Sequence, residues 1–419
     1  MHFIIFSATN LAFRFSLVIL LAWGLLLGEG ISQESTSKGG ELNPRMKQDI
    51  KAFQQALIQD EVTGSNIVIV SGADGVIYES IVNSGKDGDR DVTNETLFPL
   101  WSMTKPVTIV AMLTLHEKQL FDWEDPVAKY IPCFENLMVQ EEKTLRPART
   151  PLRIIDLMTH RSGYGYYAWD GLPADNNQPE ANQTRFRDLQ EYCEVAARYP
   201  LAFDPGTEFL YGNSHGILGR LVEVLSGMPF YDYMKLSIFD PLQMNDTSFF
   251  LDAQRRKRFQ PLFINSNNLK GFTHLLDEMN YSPESRAHFG GDGLISSPAD
   301  FNKFCTMLLQ NGIYEGKRVV SEASLQSMTE VHSENILPRY WPDIDMGFGV
   351  FVLNKTKSES SYAPPGIYGW QGYHNTHFWI DPANDMSVLF MTRAREFSFK
   401  IPRQLREAVY GLKEATEAK

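Results

Sequence analysis

The sequence predicts a mixed α/β fold of the α+β type: an antiparallel sheet flanked by N- and C-terminal helices, with a mainly helical lobe inserted. Three observations predict it. The strand period of two appears near residues 66–80 and returns only beyond residue 345. The helical period dominates from about 100 to 310. A helical stripe stands at each end of this region, at 45–59 and 400–417.

At the N-terminal end, Arg45 to Gln59 has apolar residues at 46, 50, 53, 57 and 58, one face of a helix. N-I-V-I-V-S-G-A-D-G-V-I-Y-E-S reads as two strands around a tight turn at Gly72 and Gly75. Lys105 to Lys118 is helical. R-T-P-L-R-I-I-D-L-M-T-H-R-S-G is expected to be a helix closed by Gly163, and H-G-I-L-G-R-L-V-E-V-L-S-G one closed by Gly227. S-S-P-A-D-F-N-K-F-C-T-M-L-L-Q-N-G has Ser297 as N-cap, Pro298 at the first helical position and Asp300 two further on. M-G-F-G-V-F-V-L, H-F-W-I-D and M-S-V-L-F-M-T are three β segments, with a D-P-A-N-D turn between the last two. The expected organisation is one domain over 45–417. Its α/β lobe takes 45–95 and 315–417, and its helical lobe 96–314.

The 419 residues carry a net charge of −12 and no basic run, which argues against a nucleic-acid partner. Residues 1–28 hold one formal charge, Arg14, and Phe15 to Gly28 is an unbroken apolar stretch but for Ser16. Its length suits a secretory signal peptide, 1–30, with an N-terminal anchor as the alternative. Membrane attachment follows only if that segment stays uncleaved. A polar linker, 31–44, comes next. Sequons at Asn94, Asn182, Asn245 and Asn354 agree with the secretory pathway and mark expected glycosylation sites. Three cysteines, Cys133, Cys193 and Cys305, allow at most one internal disulfide.

Candidate chemistry begins at W-S-M-T-K-P-V. Ser102 and Lys105 stand at i and i+3, on one face of a helix. A lysine held neutral can take the serine proton and make Ser102 a nucleophile. The plainer alternative is a helix start with Ser102 as cap and Pro106 in the first turn. Y-G-N at 211–213 places Tyr211 before a helix, where its phenol can relay a proton; otherwise Tyr211 packs and Asn213 caps. In G-W-Q-G-Y, Gly372 permits close approach and the Tyr373 N–H can point into a site; otherwise it is a glycine bulge. G-G-D-G at 290–293 lacks the lysine and preceding strand of a phosphate loop and reads as a turn. His374 and His377, three apart on a strand, would face opposite sides, so no metal is expected.

S-M-T-K, then Y-G-N, then W-Q-G, in this order and spacing, resembles the serine β-lactamase-like superfamily, in its class C, carboxylesterase and transacylase branch. The flanking L-F-P-L-W-S-M-T-K-P-V-T, E-D-P-V-A-K-Y-I-P, I-I-D-L-M-T-H-R-S-G, F-D-P-G-T-E-F-L-Y-G-N-S, G-G-D-G-L-I-S-S-P-A-D-F and F-W-I-D-P share the likeness, which spans about 45–415. The resemblance implies the β-lactamase/penicillin-binding-protein-like fold. It also implies an acyl-enzyme on Ser102, with Lys105 as base and Tyr211 as second proton-transfer group. Asn213, Trp370 and Gly372 would bind substrate, and the backbone N–H groups of Ser102 and Tyr373 would form the oxyanion hole. No cofactor is implied. In the lactamases and penicillin-binding proteins the third motif usually opens with lysine; here it opens with Trp370. An indole gives an apolar wall and one donor, not a charge. The expected substrate is therefore a small ester or amide with a neutral acyl group, taken by a carboxylesterase-like serine hydrolase. Transacylation, cleavage of D-amino-acid or small peptides, and a catalytically silent binding protein of the same fold are the alternatives.

Overall fold

In the computed structural model, residues 42–166, 186–332, 344–353 and 363–411 are described. The apolar N-terminal segment, Asn182, Asn354 and the last residues of the expected C-terminal helix lie outside them. No described helix is long and apolar enough to cross a membrane.

The sheet is assembled from both ends of the chain. Its strands are β1 (Asn66–Gly72), β2 (Gly75–Val82), β3 (Ile344–Met346), β4 (Phe351–Leu353), β5 (Tyr368–Gln371), β6 (His377–Asp381) and β7 (Met386–Met391). They lie in the order β3-β4-β5-β6-β7-β1-β2, and every pairing is antiparallel. β1 joins the two halves by pairing Ile69 with Leu389 and Val70 with Val388.

Both faces of this sheet are covered, and the strand alternation shows it. Ile67, Ile69, Leu389, Met391, Phe378 and Ile380 pack into the core shared with the helical lobe. Val68, Val70, Val388, Phe390 and Trp379 face the other way, onto the terminal helices α1 (Pro44–Gln59) and the last helix, Lys400–Tyr410. Trp379 Nε1 donates to the Tyr410 hydroxyl at 3.0 Å, which donates to Asp381 at 2.8 Å.

The helical lobe centres on α2 (Thr104–Glu117), buried from Thr104 through Leu115. A helix apolar all round belongs inside a core. α4 (Ser214–Ser226) packs on it, α3 (Ile154–Met158) packs on α4, and α5 (Pro298–Leu309) lies on the sheet against β7, β1 and β6. α5 is capped as expected, the Ser297 hydroxyl accepting from the Asp300 N–H at 3.2 Å. α4 ends at Gly227 with φ +70°.

Three local expectations are corrected. α3 stops at Met158, short of Gly163, because His160 turns left-handed (φ +55°) and residues 160–163 pair instead with 202–210. M-G-F-G-V-F-V-L is two strands: Gly349 (φ +62°) and the Gly347 N–H to Val350 carbonyl bond fold it into a turn. The middle of the chain also holds short ribbons, Met138–Glu141 with Thr144–Pro147 and Leu262–Ser266 with Leu269–Thr273. These strands are too short for their period to stand out in the sequence.

Candidate active site

The S-x-x-K segment enters α2 through a single 3₁₀ turn, Trp101–Met103. Trp101 sits at φ +49°, a left-handed conformation uncommon for a non-glycine residue. The turn puts Ser102 and Lys105 on one face, with Lys105 Nζ 3.1 Å from Ser102 Oγ. Lys105 is completely buried. Its other two hydrogen bonds go to the Gly291 carbonyl and the Tyr166 hydroxyl, each at 2.7 Å.

Gly291 arrives through two pairings. Phe98–Pro99 pairs with Ile295–Ser296, and the Leu294 N–H donates to the Thr104 hydroxyl at 3.1 Å. Residues 290–293 do form a turn, but their backbone walls the site. The Gly290 carbonyl accepts from Thr108 Oγ1 at 2.7 Å. A Cβ on Gly290 would lie 2.5 Å from the His215 carbonyl.

A carbonyl only accepts, so Gly291 takes one lysine N–H. The Ser102 and Tyr166 hydroxyls can each donate or accept. Three oxygens therefore surround the lysine nitrogen, each able to accept one of its N–H groups.

Tyr211 and Asn213 close the other side. Lys105 Nζ lies 4.9 Å from the centre of the Tyr211 ring, within cation–π range. Asn213 occupies the N-cap position of α4, yet makes no side-chain capping bond; its amide donates to the Gly165 carbonyl at 3.4 Å. Gly212 makes this approach possible, since a Cβ there would stand 2.4 Å from the Tyr164 carbonyl. Y-G-N therefore packs directly on Y-G-Y (164–166), and Tyr166 is delivered to the lysine. Its phenol is pushed well above its ordinary value, chiefly by burial and further by Tyr211 and Asp292, with the bond to Ser102 opposing. It stays protonated at neutral pH.

Trp370 ends its indole against the second motif, Nε1 donating to the Tyr211 hydroxyl at 3.3 Å. β5 then ends, and residues 372–376 make a turn into β6. The Gly372 N–H bonds the Thr376 carbonyl at 2.7 Å, and the Asn375 N–H the Gly372 carbonyl at 3.0 Å. A Cβ on Gly372 would lie 2.3 Å from the Leu100 carbonyl, so only glycine lets this turn meet the backbone before Ser102. Tyr373 thereby stands beside Ser102, its ring 5.2 Å from Trp101.

These residues surround a pocket of about 380 Å³. Its aromatic walls are Trp101, Tyr166, Tyr211, Trp370, Tyr373 and Phe397, with Ser102 at the surface. Among the described residues no arginine, lysine or histidine lines it; Glu278 and Asp292 do. Burial alone would raise the Glu278 carboxyl, but the hydrogen bond from His374 and the Arg395 and Arg393 charges hold it below its ordinary value. His374 Nε2 stands 2.7 Å from Glu278, and burial lowers its imidazole to about 4, so it is a neutral donor to a carboxylate.

His374 is in the turn rather than on a strand, so the facing argument against a metal does not apply to it. No group of three ligating side chains occurs among the described residues. Behind the site two further histidines meet at a tilt, the His160 ring 4.6 Å from His215 and 4.7 Å from Tyr211. None of the three cysteines is paired; Cys133 is exposed, Cys193 and Cys305 buried.

Ser102, Lys105, Tyr211, Trp370, Gly372 and Tyr373 converge, whereas the Asn213 amide turns to the Gly165 carbonyl behind the pocket wall. Sequence reasoning missed Tyr166 and the Gly291 carbonyl. Tyr166 lies in the loop H-R-S-G-Y-G-Y, which has no periodic signal, and a backbone carbonyl has no side-chain signature at all.

Known proteins resemble this chain in sequence and in fold. The family profile described as Beta-lactamase matches residues 49–409. Esterase EstB of Burkholderia gladioli is 25% identical over 383 residues, covering 85% of this chain and 93% of EstB. Among solved structures, EstCE1, a hydrolase with promiscuous acyltransferase activity, superposes with a TM-score of 0.74 at 20% identity, covering 88% of this chain and 99% of its own. Simvastatin synthase (LovD) from Aspergillus terreus, unliganded, gives 0.67 at 19% identity, over 88% and 98%.

Proposed function

The chain belongs to the beta-lactamase family of serine hydrolases, and on that premise we propose that it is an esterase-like enzyme that forms an acyl-enzyme on Ser102 from small esters or amides with neutral acyl groups. The observation that carries the reading is Lys105 Nζ at 3.1 Å from Ser102 Oγ, at the edge of an aromatic pocket with no basic side chain among its described lining.

Ser102 Oγ attacks the acyl carbon as its proton passes to Lys105. The carbonyl oxygen becomes an oxyanion that accepts from the N–H groups of Ser102 and Tyr373; one such donor typically contributes about a hundredfold in rate. Collapse expels the leaving group, which takes a proton through Tyr211. Water then enters, gives its proton back along the same path and releases the acid. Asn213 orients substrate, and Trp370 supplies the acyl wall. No cofactor takes part. An alcohol or amine in place of water gives acyl transfer, a second reading supported by the promiscuous acyltransferase activity of EstCE1. Peptidase action and a silent binding role are the remaining alternatives. The apolar N-terminus and the sequons support secretion of the enzyme as a glycoprotein.

A fluorophosphonate probe followed by peptide mass spectrometry tests this. The adduct is expected on Ser102, with labelling and ester turnover both lost in Ser102→Ala. An unlabelled wild type, or a labelled variant, overturns the enzyme reading.

A further inference from the structure

We propose that Tyr166 is a second catalytic phenol, carrying the proton between Lys105 and Tyr211 when the leaving group departs. The proposal rests on the acyl-enzyme reading above and assigns a residue to it.

Three relationships place Tyr166 there. Its hydroxyl is 2.7 Å from Lys105 Nζ. The Tyr166 and Tyr211 rings meet edge to face, their centres 5.5 Å apart. The side chain lines the pocket beside the nucleophile. The side chain thus bonds the serine's base, lies against the second phenol and opens on the pocket of the nucleophile.

Its position is built, not incidental. The Tyr164 N–H donates to Ser162 Oγ at 3.1 Å, and Ser162 Oγ lies 2.8 Å from Ser214 Oγ at the start of α4. Asn213 holds the Gly165 carbonyl, and glycine at 212 allows the two segments to touch. The segment bearing Tyr166 is therefore tied to the segment bearing Tyr211 at both of its ends.

The step balances without a free phenolate. A Lys105 ammonium N–H breaks as its proton bonds the Tyr166 oxygen. The Tyr166 O–H breaks as its proton bonds the Tyr211 oxygen, and the Tyr211 proton passes to the departing oxygen or nitrogen. Lysine ends neutral, both phenols end neutral, and the leaving group ends protonated. A half-buried phenol held well above its ordinary value does not store the negative charge, so the transfers are concerted.

The relay matters only when the leaving group needs a proton. Alkyl esters expel a strongly basic alkoxide, and p-nitrophenyl esters a weakly basic phenolate. Tyr166→Phe is expected to lower kcat/KM for an ethyl ester by about a hundredfold, within the usual range for proton-transfer groups. The loss for the matching p-nitrophenyl ester is expected to be below about fivefold, and Ser102 should still take the fluorophosphonate probe, which also reports that the variant is folded. Equal losses on both esters, or an effect on KM alone, would overturn the proposal, as would a variant that no longer labels. If wild type itself is unlabelled, the parent reading falls first, and this one with it.

Discussion

The Trp370 indole N–H donates to the Tyr211 hydroxyl at 3.3 Å, so the third motif holds the second in place. The two residues are 159 positions apart in the chain. Their contact gives Trp370 two separable functions: a donor that aims the phenol and an apolar wall.

Trp370→Phe keeps the wall and removes the donor. Loss of one neutral hydrogen bond is worth about 1 kcal/mol, so kcat/KM for a short-chain aryl ester should fall about fivefold. Trp370→Lys should shift preference from the ester toward an anionic chromogenic cephalosporin, because it adds the missing cation. The ratio of the two kcat/KM values is the measurement. A wild type that already prefers the cephalosporin would contradict the neutral-acyl reading.

Gly372→Ala places a methyl 2.3 Å from both the Leu100 carbonyl and Thr376 Oγ1. Overpacking against backbone typically costs about 1–3 kcal/mol. The displaced turn carries the Tyr373 N–H, so the urea midpoint should fall and esterase activity should fall further, by about tenfold or more. Full activity with lowered stability would remove Tyr373 from the oxyanion hole.

Acid should destabilise the fold well before its carboxylates titrate. His160 and His215 are held well below the ordinary imidazole value by burial, then by neighbouring charge. Among the described residues neither ring nitrogen of either one has a hydrogen-bond partner. Burial also lowers His288 and His374 to about 4 and His377 to about 3. Below about pH 6.5 the unfolded chain binds protons that the folded chain refuses, so stability is complete above that pH and declines as pH falls. Each such histidine contributes a slope approaching about 1.4 kcal/mol per pH unit, down to its folded value. Urea midpoints from about pH 7.5 to 5 should drop steeply. A flat profile would mean these rings are solvated or paired in solution.

Glycosylation should be uneven. Asn245 is exposed, whereas Asn94 is half-buried and its amide donates to Glu79 at 2.5 Å. Expression in a eukaryotic secretory host should yield medium-borne protein, with glycopeptide mapping showing Asn245 more fully occupied than Asn94. A cytosolic, unmodified product would refute the secretory assignment.

What neighbouring residues settle between themselves is readable from the chain. The i, i+3 spacing of Ser102 and Lys105 needs only one helical turn, and the structure has it at 3.1 Å. The Ser297 cap, the Gly72–Gly75 turn and the alternation along β1, β6 and β7 are likewise short-range, set by backbone geometry and side-chain period. The atoms that complete the lysine's surroundings are of another kind, chosen by the assembled fold. Tyr166 reaches it from 61 residues away and the Gly291 carbonyl from 186. Both come from aperiodic glycine-rich loops, whose conformations are selected by close backbone contacts at Gly212 and Gly290 rather than by any local preference. A single residue string carries no mark of such contacts, because they form between segments that meet only once the sheet has closed from both ends.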